Sequence, residues 1–187
     1  MTRSNRHECQ GDPNRFECMA SFVWNRFGSG VRYIADVAGG QGLLSRHLRK
    51  NHNYECEVID PRGWTLRGVP SQAMTFEPTM VTYYDLIIGL HPDEATRAIA
   101  EAALIRPVVI IPCCNFWSDE KLGRDELIES IGNFYEKNHV KFQKHSFPFK
   151  GPKNIGLVSE PSNLSALASA TQAVGLVTMV RASENEK

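Results

Sequence analysis

The chain has 187 residues, 42% of them hydrophobic and 22% charged, and its 21 basic residues balance 21 acidic ones. That length suits one domain with its own core. The balance excludes an overall field favouring nucleic acid or membrane, so charge-based recognition must come from local patches, and no apolar run reaches the roughly 18 residues of a membrane-spanning helix.

Residues 1–14 read as a polar arm without the apolar stretch of a signal peptide, which makes a cytoplasmic protein the expectation. Phe16, Met19, Val23 and Phe27 recur at helical spacing and predict a helix over 15–27, stopped by Gly28. A strand follows at 32–37, then a glycine turn, then a helix at 42–51 with Leu43, Leu44, His47 and Leu48 inward. Residues 55–59 predict a second strand ending in Asp60 and Pro61. Residues 74–76 predict a short third one closed by Glu77 and Pro78. Strands at 85–90 and 107–111 bracket an alanine-rich helix at 93–104, and another helix is expected at 126–137. Residues 140–147 and 154–159 read as two strands joined by a tight loop, an antiparallel pair because the link is short.

Alternating strands and helices with buried apolar strands predict an α/β domain over 15–180. It has a mostly parallel sheet, a C-terminal antiparallel hairpin and helices on both faces. A small-residue helix is expected beyond residue 161 and a frayed polar tail over 181–187.

Five cysteines, an odd number, argue against a disulfide framework. No metal site is expected. The spacing of His7, Cys9 and Cys18 matches no zinc pattern, and neighbouring Cys113 and Cys114 face opposite sides if they continue a strand.

The chemistry concentrates at strand ends, where ligands bind in open α/β sheets. The turn after the first strand is Asp36-Val-Ala-Gly-Gly-Gln-Gly42. Glycines let the backbone turn sharply and approach a ligand closely, and the next helix offers unpaired N–H groups. A triphosphate loop needs a lysine followed by serine or threonine after the last glycine, but Leu43 and Leu44 stand there. A dinucleotide fingerprint is nearly met, with Ser45 in place of the third small residue. Asp36, however, lies where pyrophosphate would come close, and its carboxylate better suits a ligand with a cationic amino-acid end. Alanine in a turn implies a negative φ at Ala38.

The segment from Asp36 to Gly42 resembles the first motif of class I S-adenosylmethionine-dependent methyltransferases, with Ala38 where the first glycine is usual. The resemblance implies a Rossmann-like fold and S-adenosylmethionine as cofactor. Asp36 would organise the methionine end, and Ala38, Gly39, Gly40 and Gly42 would bring the backbone close. Asp60 and Pro61 would lie at the ribose, and Glu77 and His91 at the next strand ends. A carboxylate at Asp60 serves a dinucleotide equally well. His91 and Asp93 are the expected catalytic pair, histidine as a base at neutral pH, with helix capping as the alternative role of Asp93. Cys114, Asn115, Phe116 and Trp117 follow the fifth strand, where the acceptor is expected. The aromatic pair could stack on a base, although core packing fits the cysteines better.

His91-Pro-Asp-Glu-Ala-Thr96 and Pro112-Cys-Cys-Asn-Phe116 are similar to stretches of the eukaryotic tRNA (uridine-2'-O-)-methyltransferase family. This implies an RNA acceptor, tRNA favoured, with a partner subunit as one source of RNA affinity. Lys150 and Lys153 belong to a segment, 138–159, with four lysines and no carboxylate. They could hold phosphates or simply blunt an edge strand against aggregation. A small-molecule methyltransferase, a non-catalytic module that keeps the fold, and an NAD(P)-dependent oxidoreductase are the alternatives.

Overall fold

A computed structural model describes residues 11–161, so the expected C-terminal helix, the tail, His7 and Cys9 lie outside the described residues. Among these residues seven strands form one sheet: β1 (Tyr33–Val37), β2 (Glu55–Ile59), β3 (Ser71–Gln72), β4 (Leu86–Leu90), β5 (Val108–Ile111), β6 (Lys141–Ser146) and β7 (Ile155–Glu160). Their order is β3-β2-β1-β4-β5-β7-β6. The first five run parallel, and β7 pairs antiparallel with both β5 and β6. The reversal of strand order between β1 and β4 opens a crevice at their carboxyl ends.

Among the described residues, four α-helices cover the sheet: α1 (Arg15–Phe27), α2 (Leu43–His52), α3 (Thr96–Ala102) and α4 (Arg124–Lys137). Strand side chains alternate between the faces. Val109 and Ile111 of β5 join Met19, Val23, Leu44 and Leu48 under α1 and α2. Val108 and Ile110 join Ile99, Leu127 and Ile131 under α3 and α4. Each isoleucine or leucine taken wholly out of water contributes about 1.5–3 kcal/mol, so this period-two division holds both helical layers on the sheet.

The expected α1 matches in full, and the other main elements agree to within a few residues. Two differences have clear causes. The third strand lies at Ser71–Gln72 rather than at 74–76, because Phe76 is drawn into the core beneath the sheet instead of pairing. The helix expected from residue 93 begins as a 3-10 turn, Asp93–Ala95, and becomes α-helical only at Thr96. No helix among the described residues is long and apolar enough to cross a membrane.

Candidate functional site

A cleft of about 660 Å³ lies over the carboxyl ends of β1, β4 and β5. Its floor is the glycine turn. Asp36 at the end of β1 is 1% exposed. Its Oδ2 accepts hydrogen bonds from the Ser45 hydroxyl at 2.8 Å and the Ser45 backbone N–H at 3.2 Å. Burial, opposed in part by these bonds, raises its pKa from 3.8 to about 6. The turn folds tightly over this carboxyl group: a Cβ on Gly39 would stand 2.6 Å from Asp36 Cγ. Gly42 has φ +74, and a Cβ there would meet Val69 and Val58 below 3.0 Å.

Ala38 contradicts its expected negative φ. It adopts φ 55, because the backbone must turn left-handed to fold back over Asp36, and the methyl group tolerates what glycine would adopt without strain. His91 and Asp93, after β4, also have positive φ, 60 and 46.

At the end of β2, Asp60 is 2% exposed and fully engaged. Its Oδ1 accepts from the Arg62 backbone N–H and Nε, both at 2.9 Å. Its Oδ2 accepts from Arg62 Nη2 at 2.6 Å and from the Gly40 N–H at 2.9 Å. Burial raises the Asp60 pKa, but these donors outweigh it and hold the group below its ordinary value. Arg62, not Asp60, forms the cleft wall there, next to Trp64, whose ring lies 5.5 Å from the guanidinium.

His91 lines the cleft, and its Nε2 donates to the Lys153 carbonyl at 2.8 Å, which leaves Nδ1 free of that bond. Burial lowers its pKa. Asp93 does not reach toward His91 for a hydrogen bond. Its Oδ1 accepts from the Cys113 thiol at 2.9 Å, while its backbone carbonyl accepts the Thr96 hydroxyl at 2.7 Å. The bond to Asp93 shares with burial in pushing the Cys113 thiol up to about 12.

The cleft brings together Asp36, Ala38, Gly39, Gly40, His91, Asp93, Cys114, Lys150 and Lys153 from the residues expected in the site. Gly42, Asp60, Pro61 and Glu77 do not line it. Asn115, Phe116 and Trp117 do not either; they border a separate depression of about 450 Å³ with Arg97. Trp117 is a core residue there. It is buried against Phe134, its Nε1 donates to Ser130 at 2.8 Å, and Arg97 lies 4.7 Å from its ring centroid. Cys113 and Cys114 also depart from the expectation that they face apart. They follow β5 in a bend where strand alternation has ended, and both thiols approach Asp93.

Arg15 and Phe16 at the start of α1 form one wall of the cleft without having carried a legible signal for it; the loop between β6 and β7, which bears the expected Lys150 and Lys153, forms another. The two are tied where Asp12 Oδ2 accepts the Lys150 N–H at 2.7 Å. Ser45, read only as a departure from a dinucleotide fingerprint, is the partner of Asp36.

No family model and no curated protein matches the sequence, so the likeness to the tRNA (uridine-2'-O-)-methyltransferase family rests on the short motifs alone. Solved structures do match the fold. The sugar N-methyltransferase KedS8 of Streptoalloteichus sp. superposes over 87% of this chain and 98% of its own, at 13% identity and a TM-score of 0.53. A SAM-dependent methyltransferase of Aquifex aeolicus covers 80% and 93%, at 17% identity and 0.52. One of Archaeoglobus fulgidus covers 77% and 93%, at 12% identity and 0.53. The chain thus has the Rossmann-like fold of class I methyltransferases.

Proposed function

We propose that the protein is an S-adenosylmethionine-dependent methyltransferase acting on an oxygen or nitrogen acceptor, with RNA, tRNA favoured, as the acceptor class. The observation that carries this reading is the buried Asp36 carboxyl group beneath the Gly39–Gly42 turn, at the strand-order reversal of a methyltransferase-type sheet. The cleft over that turn, lined by Ala38, Gly39, Gly40 and Gln41, suits a ligand pressed close to the chain. When bound, the cofactor supplies a methyl group on a sulfonium, which leaves the protein mainly positioning work.

In this reading Asp36 faces the ammonium of the methionine end, whose charge favours the ionised carboxylate despite burial. Asp60 takes the ribose hydroxyls once Arg62 swings outward, which its surface position permits. His91, held by the Lys153 carbonyl, keeps Nδ1 for the acceptor proton. Lys150 and Lys153 line the cleft and suit phosphate oxygens. A second reading, a small-molecule acceptor, is favoured by the walling of the cleft by α1 and the hairpin loop.

Calorimetric titration with S-adenosylhomocysteine, NAD and NADP tests the cofactor. Binding of S-adenosylhomocysteine alone, lost in Asp36→Ala, is expected. Binding of NAD or NADP instead overturns the reading, and binding of none leaves a fold without the chemistry. RNA binding that weakens steeply with salt, and weakens again in a Lys150→Ala/Lys153→Ala variant, is expected of an RNA acceptor. Salt-independent behaviour assigns a small molecule.

A further inference from the structure

Asp93, Cys113 and Cys114 offer one carboxylate oxygen and two sulfurs, all within 4.8 Å of one another, at the β4 and β5 end of the cleft. We propose that these three side chains form a binding site for a thiophilic divalent cation of the zinc class, with the remaining coordination position open to the cleft.

The donor set selects the ion. Two thiolates favour zinc over magnesium or calcium, which take oxygen ligands. Zinc–sulfur bonds of about 2.3 Å and zinc–oxygen bonds of about 2.0–2.2 Å place tetrahedral ligand atoms about 3.5 Å apart. The three atoms lie close enough to reach that arrangement by side-chain rotation. The Cys113 thiol already points at Asp93 Oδ1, 2.9 Å away, so the cation would enter where a proton now bridges sulfur and oxygen. On binding, both thiols release their protons to solvent and each sulfur donates an electron pair to the metal.

The charge also balances. Two thiolates and a carboxylate leave a divalent ion with one excess negative charge. Lys153 Nζ lies 3.8 Å from Cys114 Sγ and compensates it. The scaffold is well fixed. Gly89 could not carry a side chain without meeting Ile99 and Pro92, and Thr96 holds the Asp93 carbonyl at 2.7 Å. Three protein ligands and one position facing a cleft make a site that can receive a water or an acceptor heteroatom, unlike a closed four-ligand structural site. The site does not depend on which cofactor the cleft holds.

The test is titration of the reduced, full-length protein with Co²⁺, followed by competition with Zn²⁺. A thiolate-to-cobalt charge-transfer band is expected at one equivalent, bleached by zinc. It should be retained in Cys18→Ser. In Cys113→Ser and Asp93→Asn, affinity should fall by at least about tenfold, the scale on which even outer-shell partners act. Zinc should also protect Cys113 and Cys114 of the unaltered protein from iodoacetamide, read by peptide mass mapping, which needs no variant to fold. Absence of the band, its survival in Cys113→Ser, its loss in Cys9→Ser, or unchanged alkylation of both cysteines would each overturn the proposal.

Discussion

Replacing Asp36 with asparagine separates what this residue does for the fold from what it does for a ligand. Burial raises its pKa from 3.8 to about 6. The folded state therefore binds the proton more tightly than the unfolded state, and stability falls as pH rises through that interval. At about 1.4 kcal/mol per pH unit, the ionised carboxylate costs the protein about 3 kcal/mol above pH 6. The cost vanishes below the unfolded pKa, where both states are protonated. Asparagine keeps the shape and can still accept the Ser45 hydroxyl, but carries no charge. Asp36→Asn should therefore stabilise the ligand-free protein by up to about 3 kcal/mol at pH 7.5, or about 6–12 °C in Tm for a chain of this size. The gain should shrink toward zero near pH 4. Thermal unfolding of both proteins across that range, with no ligand present, is the assay. A variant that is equally or less stable than the parent at every pH would refute the reasoning, because the carboxylate would then not be held at an energetic cost.

Three further outcomes follow from the same geometry. If Asp36 meets the ammonium as proposed, S-adenosylhomocysteine should bind more tightly as pH rises toward 6, by up to about tenfold per unit, because that contact needs the carboxylate ionised; calorimetry at several pH values would read the slope. Arg62→Gln should raise the affinity for S-adenosylhomocysteine several-fold by releasing Asp60, while costing about 1–3 kcal/mol of stability through the loss of charged hydrogen bonds to a buried acceptor; an unchanged affinity would show that Asp60 never meets the ligand. Trp117→Ala should cost about 3–5 kcal/mol in denaturant unfolding and Phe116→Ala almost nothing, since Trp117 is buried and Phe116 is 45% exposed.

The sheet was legible because its strands carry unbroken apolar runs and its helices carry spaced ones. The residues 108–111, Val-Val-Ile-Ile, can only be buried on both sides, and the observed division of that strand between two cores agrees. The third strand was misplaced because two residues of edge pairing leave no periodic signal, whereas Phe76 does and uses it for burial. At the site, the turn from Asp36 to Gly42 was readable because close backbone approach demands small residues there. The role of Ser45 was not, since its value lies in a hydrogen bond across nine positions. Arg62 was equally hidden: two residues after Asp60, its spacing does not show that the fold turns it back onto that carboxylate. Nor could spacing reveal Arg15 as a cleft wall, because only the fold sets the start of its helix against the hairpin loop that carries Lys150 and Lys153.

The backbone itself marks the site independently of any motif. Among the described residues, five that are not glycine have positive φ: Ala38, Asn53, His91, Asp93 and His139. Asn53 caps the C-terminus of α2, and His139 follows the cap residue of α4, positions where left-handed geometry closes a helix. The other three all line the cleft, one after β1 and two after β4, the strands flanking the reversal of order. Each such residue costs of order 1 kcal/mol or more, and a fold keeps it where the surrounding structure enforces it. At Ala38 the enforcing contact is the wrap over Asp36. At Asp93 it is the pair of bonds that turn the carboxylate toward Cys113 and the carbonyl toward Thr96. Local strain, a buried carboxyl group with a raised pKa and a thiol-carboxylate cluster therefore coincide in one crevice. The ionised carboxylate and the left-handed turns are features a chain optimised only for stability would replace, and their convergence argues that the crevice is kept for chemistry.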